Sequence, residues 1–186
     1  MITTPDGVID VNGRSGALGG PPDQARLRSL REQASCVLVG AGTARTENYG
    51  PASKNGLQIA VVTSSCALDF ASPLFTSGCG IVATRLTAPQ VPVPSVRAGI
   101  DSVDLAGIIA QLPAGMVQVE GGPRLNAALF EADLVDAINL TVSPRIGGVR
   151  GASISEAPHA LRGFALASVT TESNFVFVRY ERIRSA

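Results

Sequence analysis

Apolar positions along this chain fall into short continuous blocks, punctuated by glycine, proline and hydroxyl residues. Unbroken apolar runs of this length predict strands covered on both faces, as in parallel sheets, where no face is left to alternate. Cys36 to Val39 is one such run and passes directly into Gly40-Ala41-Gly42-Thr43. Gln58 to Val62, ending in Thr63-Ser64-Ser65, and Ile81 to Ala83 are two more. Met116 to Val119 runs straight into Glu120-Gly121-Gly122-Pro123, and Ala137 to Val142 ends at Ser143-Pro144. At the start, Met1 to Thr4 reads as a short strand closed by the turn residues Pro5-Asp6-Gly7. Val8, Ile9 and Val11 continue as strand-like positions before the loop Asn12-Gly13-Arg14-Ser15-Gly16. At the end, Ala165 to Thr171 and Phe175 to Arg182 face each other as a hairpin across Glu172-Ser173-Asn174.

Helical spacing marks three further segments. Asp23 is placed to cap a helix that runs to about Ala34, with Leu27, Leu30 and Ala34 as its apolar stripe. Arg26, Arg28 and Arg31 fall off that stripe and read as a solvated face, with Arg31 near enough to the helix end to reach an anion in an adjoining cleft. Asp104 to Leu112 is closed by Pro113 and Gly115. A helix from Pro123 carries Leu125, Ala128, Leu129 and Ala132. Strands and helices alternate through the middle of the chain, and an antiparallel pair closes it, so the class is α/β.

Composition narrows the function classes. A chain of 186 residues suits a single domain spanning 1–186. Fifteen basic residues balance fifteen acidic ones, which gives no field for nucleic acid or an anionic membrane. Cys36, Cys66 and Cys79 lack any C-x-x-C spacing, and the sole histidine, His159, reads as a surface residue. The expectation is therefore no metal and a reducing compartment. The N-terminal residues show no basic and apolar leader pattern, and no apolar run reaches membrane-spanning length, which points to the cytoplasm.

The chemistry sits at the strand ends. Small residues there let backbone approach a phosphate and leave N–H groups to bind it. Gly-x-Gly alone is equally a plain tight turn, but the chain has two strand, glycine-turn, helix units, at Gly40-Ala41-Gly42 and at Gly121-Gly122. The hydroxyls of Thr63 and Ser64 read either as phosphate ligands or as ordinary turn formers.

The set TTPDG, NGRSG, LVGAGTARTENYGP, VEGGPRLNAALF, LVDAINLTVSPRIGG and FVRYERI, in this order, resembles the reductase domain of the bacterial riboflavin-biosynthesis deaminase-reductase over nearly the whole chain. The resemblance implies a dihydrofolate-reductase-like fold, a mixed sheet flanked by helices with a C-terminal antiparallel hairpin. It also implies NADPH as cofactor, a homodimer, and reduction of the ribose of 5-amino-6-(5-phosphoribosylamino)uracil, a phosphorylated pyrimidine. By the same resemblance Gly40, Gly42, Thr43, Gly121 and Gly122 hold NADPH. Thr63 and Ser64 stand where the adenosine 2′-phosphate binds in the wider fold. Arg14, Ser15 and Glu47 line the substrate cleft, with Arg14 suited to the substrate phosphate, and Glu120 lies beside the nicotinamide.

Hydride chemistry of this kind asks the protein for orientation and one proton. Glu47 and Glu120 are the two candidate catalytic carboxylates, and for Glu120 a structural role in hydrogen bonds to neighbouring N–H groups is the competing reading. Asp23 is either an N-cap or, in a reductase of dihydrofolate or another pterin, a substrate-gripping carboxylate. A nucleotide-binding module without catalysis is the third reading. The sequence departs from the family in lacking the deaminase half and its zinc motif. It also has few residues before the first motif, which implies a shortened first strand, and it carries Pro5 in the TTPDG turn.

Overall fold

The computed structural model describes residues 1–148, 152–156 and 160–184; His159 lies outside them. The elements in order are β1 (Ile2–Thr3), α1 (Pro21–Gln33), β2 (Cys36–Gly40), α2 (Ala41–Thr46), β3 (Gln58–Val62), α3 (Pro73–Thr76), β4 (Gly80–Thr84), β5 (Ser95–Arg97), α4 (Leu105–Ile109), β6 (Val117–Val119), α5 (Pro123–Glu131), β7 (Ala137–Val142), β8 (Phe164–Glu172) and β9 (Phe175–Arg182). The chain divides into two units, residues 29–125 and residues 1–28 with 126–186.

Residues 29–125 form a five-stranded sheet in the order β5-β4-β3-β2-β6, with every neighbouring pair parallel. Its central strands are the unbroken apolar runs of the sequence: Val37, Val39, Ile59, Val61 and Val82 are at most 1% exposed. Burial on both faces is why these strands show no polar alternation. Burial also pushes the Cys36 thiol up to about 11, which keeps it neutral and unreactive. The end of α1 is held by Lys54, whose Nζ donates to the carbonyls of Glu32 and Ala34 at 2.8 and 2.7 Å. A cation there satisfies carbonyls that have no acceptor role left within the helix.

The other unit carries a four-stranded sheet in the order β1-β7-β9-β8, parallel between β1 and β7 and antiparallel elsewhere. Its β8–β9 hairpin closes on Ser173 and Asn174, with φ of 49° and 69°. Positive φ at both central residues is the signature of a type I′ turn, whose twist matches the strands it joins. Ile2, Leu18, Phe175 and Phe177 make the core here, with the two phenylalanine rings stacked at 6.4 Å.

Several sequence expectations need correcting. Val8 to Val11 form no strand: Val8 and Ile9 are buried, but Val11 makes only a local bridge to Arg14. The first long helix starts at Pro21, because the Gly20 carbonyl accepts the Gln24 N–H at 3.0 Å. Asp23 therefore sits in the first helical turn and is not the N-cap. Leu27 is 36% exposed, so the stripe of α1 reduces to Leu30 and Ala34. In α5 the buried positions are Leu125, Asn126, Ala127 and Leu129, while Ala128 and Ala132 are exposed. The short α3 and the edge strand β5 carry no periodic signal in the sequence, and α4 ends sooner than its apolar spacing suggested.

The Pro5–Gly7 turn is clipped to a distant loop. Asp6 accepts the N–H groups of Gly147 and Gly148 at 3.1 and 3.0 Å. The Thr4 hydroxyl and then these two amides hold its carboxyl down at about 2, against an ordinary value of 3.8. A carboxylate depressed on folding contributes stability above its unfolded value and loses it as the pH falls towards the folded one. Hydrogen exchange at the Gly147 and Gly148 amides should therefore show protection fading from about pH 4 towards pH 2. In Asp6→Asn that pH dependence should be absent.

Candidate functional site

The order of the five-stranded sheet defines where a ligand belongs. From β2 the chain adds β3, β4 and β5 on one side and then returns to place β6 on the other side of β2. The carboxyl ends of β2 and β6 thus flank a topological switch point, the place where open parallel sheets leave a crevice for a ligand. Both glycine turns of the sequence meet there.

Their junction is made by backbone. The Gly40 N–H donates to the Gly121 carbonyl at 2.7 Å, and the Glu120 N–H donates to the Leu38 carbonyl at 3.0 Å. The Gly122 N–H donates to Thr43 Oγ1 at 3.1 Å. Gly121 has φ of +88°, a conformation that L side chains rarely adopt. Gly40 and Gly42 are different from the expectation: φ at Gly40 is −73°, and Ala41 already begins α2, so the strand enters the helix without a loop. A side chain at Gly42 would meet nothing within 4 Å, whereas one at Gly122 would meet the Thr43 hydroxyl at 2.6 Å. The start of α2 has no side-chain cap, which leaves its first-turn N–H groups without that kind of acceptor.

Glu120 is the most constrained polar group of this region. Its side chain is 4% exposed. Arg31 donates through Nε to Oε1 at 2.6 Å and through Nη2 to Oε2 at 2.5 Å, and the Tyr49 hydroxyl donates to Oε2 at 2.5 Å. The Arg31 guanidinium also lies over the Tyr49 ring, 5.6 Å from its centroid. The bonds to Glu120 hold the Arg31 guanidinium well above its ordinary value. Burial, followed by the Glu120 charge, drives the Tyr49 phenol strongly upward. Tyr49 therefore stays a donor over the whole working range. The anion within reach of Arg31 is thus a protein carboxylate. The partners of Glu120 are an arginine and a tyrosine, and not the neighbouring N–H groups of the structural reading that competed with catalysis. The partnership was invisible because Arg31 and Tyr49 lie 89 and 71 residues away from Glu120 in sequence.

Glu47 is the C-cap of α2, half-buried, with its N–H on the Thr43 carbonyl at 2.9 Å. Thr63 is 6% exposed and its hydroxyl accepts the Cys66 N–H at 3.1 Å, a turn-forming use. Ser64 is exposed in the same loop, to which Arg45 is tied by a 3.1 Å bond to the Ala67 carbonyl. Arg14, Ser15 and Asp23 belong to the unit formed by residues 1–28 and 126–186. Arg14 is exposed, and its backbone pairs with Val11. That unit has its own open cleft of about 550 Å³, lined by Thr3, Thr4, Pro5, Val142, Ser153 and Ser155 among others. No sequence signal pointed to this cleft beyond the TTPDG turn at its rim.

A profile described as the RibD C-terminal domain matches residues 1–176. No curated protein matches the chain. Among solved structures, the chain superposes with a TM-score of 0.83 on a pyrimidine reductase-like protein from Corynebacterium diphtheriae, at 24% identity over 99% of this chain and 90% of that one. With the Thermotoga maritima diaminohydroxyphosphoribosylaminopyrimidine deaminase/5-amino-6-(5-phosphoribosylamino)uracil reductase the TM-score is 0.77 at 22% identity, covering 98% of this chain and 55% of that one. The chain thus spans about half the length of that two-activity protein. A dihydrofolate reductase from Enterococcus faecalis complexed with NADP(H) superposes with a TM-score of 0.60 at 13% identity, over 97% of this chain and 92% of that one. At these identities the likeness is one of fold, and the fold is dihydrofolate-reductase-like.

Proposed function

The chain belongs to the RibD C-terminal domain family, and from that premise we propose that it is an NADPH-dependent reductase acting on the ribose of 5-amino-6-(5-phosphoribosylamino)uracil. Membership makes it a riboflavin-pathway oxidoreductase; cofactor and substrate are the proposed part. The observation that carries the cofactor reading is the meeting of two glycine turns at the switch point between β2 and β6. Among the described residues no helix is long and apolar enough to cross a membrane, which agrees with a cytoplasmic site of action. The reading includes a homodimer, and β8, an edge strand exposed along nearly all its length with Leu166 and Val169 at 58% and 52%, supports it.

The residues present fit a pyridine nucleotide. Gly42 and Thr43 lie in the first turn of α2, which has no side-chain cap, with open space at Gly42, and Gly40, Gly121 and Gly122 bring side-chain-free backbone beside it. Ser64, with Arg45 tied to its loop, suits a phosphate monoester such as the adenosine 2′-phosphate, while Thr63 serves the turn. When bound, the reduced nicotinamide supplies a hydride to the sugar carbon.

The protein's own share is binding, orientation and a proton. Arg14, exposed and cationic, is assigned to the substrate phosphate, with Ser15 beside it in sequence. Glu120 accepts three hydrogen bonds from Arg31 and Tyr49, an arrangement that suits a fixed acceptor and not a proton donor. The proton is therefore assigned to Glu47 or to a water it orients.

Gly42→Ala tests the cofactor site. The new methyl meets no protein atom within 4 Å, and alanine is favoured over glycine inside a helix by up to about 1 kcal/mol. The variant should melt no lower than the wild type and yet bind NADPH about tenfold more weakly, because the methyl would hold the nucleotide off the backbone of this turn. Unchanged affinity, read by the fluorescence of the bound nicotinamide, would remove this turn from the cofactor site.

A further inference from the structure

Glu120 is joined to three parts of its unit at once. Arg31 comes from the last turn of α1, Tyr49 from the segment leaving α2, and Glu120 itself from the end of β6. Each anchor is in turn secured: the end of α1 by Lys54, and Tyr49 by its N–H on the Ala44 carbonyl at 2.9 Å. Glu120 directly precedes Gly121, whose φ of +88° and whose carbonyl bond to Gly40 define the turn. A two-point bond to a planar guanidinium fixes both the place and the plane of a carboxylate. The Tyr49 hydroxyl removes the remaining rotation. The backbone on the carboxyl side of Glu120 is thereby held in one orientation.

We propose that Arg31 and Tyr49 are positioning residues, acting through the Glu120 carboxylate to hold the Gly121-Gly122 turn in the shape that receives a pyridine nucleotide. The inference rests on the cofactor reading given above. An ion pair serving only the packing of three segments would affect stability alone. A clamp one residue from the cofactor turn affects affinity as well, and affects it through the orientation of the Gly121 and Gly122 peptides.

The hydroxyl of Tyr49 is separable from its ring. The ring packs against the hydrophobic core of the sheet and under the Arg31 guanidinium. Tyr49→Phe keeps both contacts and deletes one hydrogen bond. Arg31→Lys keeps the charge and loses the two-point geometry. The test is a fluorescence titration of NADPH into wild type, Tyr49→Phe and Arg31→Lys, with a thermal melt of each and with the cofactor KM and kcat measured separately. The expected result is a dissociation constant raised about five- to tenfold in both variants, a cofactor KM that rises more than kcat falls, and melting temperatures within a few degrees of the wild type. Wild-type protein that binds neither NADPH nor NADH overturns the cofactor reading itself. Wild-type binding with unchanged affinity in both variants overturns the positioning role and leaves the cofactor reading standing. Weaker binding that merely follows a large fall in melting temperature, in both variants, assigns the network to packing and overturns the proposal equally.

Discussion

Replacing Glu120 by Gln should lower the stability of the protein by about 3 kcal/mol, because it breaks a largely buried ion pair from one side. The Arg31 side chain, 23% exposed, keeps its charge and loses its partner. An amide can accept at one oxygen only, so its NH₂ group is turned towards either an Arg31 N–H or the Tyr49 O–H, both of which are donors. For a chain of this length the melting temperature should fall by roughly 6–12 °C. The same variant separates two chemical roles. Were Glu120 the proton donor, single-turnover hydride transfer at saturating NADPH would fall by about 10²–10⁴-fold with the fold little affected. With Glu120 as a fixed acceptor, stability and cofactor affinity carry the loss, and transfer at saturation is reduced much less. A thermal melt and a stopped-flow trace on one preparation read both quantities.

Gly99→Ala should cost more than about 3 kcal/mol, although no chemistry is near it. Gly99 has φ of +81°, and a methyl there would lie 2.1 Å from the Ser102 carbonyl oxygen and 2.8 Å from the Asp104 amide nitrogen. Both are backbone atoms, and both belong to a braced turn: the Gly99 carbonyl accepts the Leu86 N–H at 2.8 Å, and the Asp104 N–H reaches the Ala98 carbonyl at 3.1 Å. Asp104 also caps α4 through a 3.1 Å bond from the Gly107 N–H. The left-handed conformation alone costs an L residue about 1–2 kcal/mol, and moving the turn adds the loss of these bonds. Urea unfolding should show the midpoint shifted at constant slope, the mark of an altered stability within an unaltered fold.

These two positions show what the sequence made legible and what it hid. Strands β3, β7 and β9 match their apolar runs to the residue: β3 is largely buried on both faces, and β7 and β9, though mostly half-buried, are rich in apolar and β-branched residues. The hairpin was readable across Glu172-Ser173-Asn174 for a similarly local reason, although Glu172 ends β8 and the turn itself is Ser173-Asn174. Glycine was less transparent. The conspicuous pair Gly40 and Gly42 needs no positive φ, while Gly99 and Gly121 do. A glycine in a list of motifs does not say whether its freedom or its small size is used. Helix faces slipped by a position or two in α1 and α5 because a short amphipathic pattern fixes the buried side only loosely. Val8 to Val11 had strand composition, but among the described residues they join no strand, making a local bridge from Val11 to Arg14 and a single Ile9 N–H bond to the Ala152 carbonyl, and pairing is a property of topology. The carboxyl-end placement of both glycine turns was legible. Their direct contact was not, because it follows from β6 returning to the far side of β2. The Arg31, Tyr49 and Glu120 contacts share that origin.

The most direct test of the proposed function follows NADPH oxidation by the purified protein, with 5-amino-6-(5-phosphoribosylamino)uracil and dihydrofolate offered in parallel. Turnover of the pyrimidine, and none of dihydrofolate, is the expected result. Turnover of dihydrofolate alone would contradict it and transfer the substrate role to Asp23, and NADPH bound without turnover of either would contradict the assignment as a reductase of this pyrimidine.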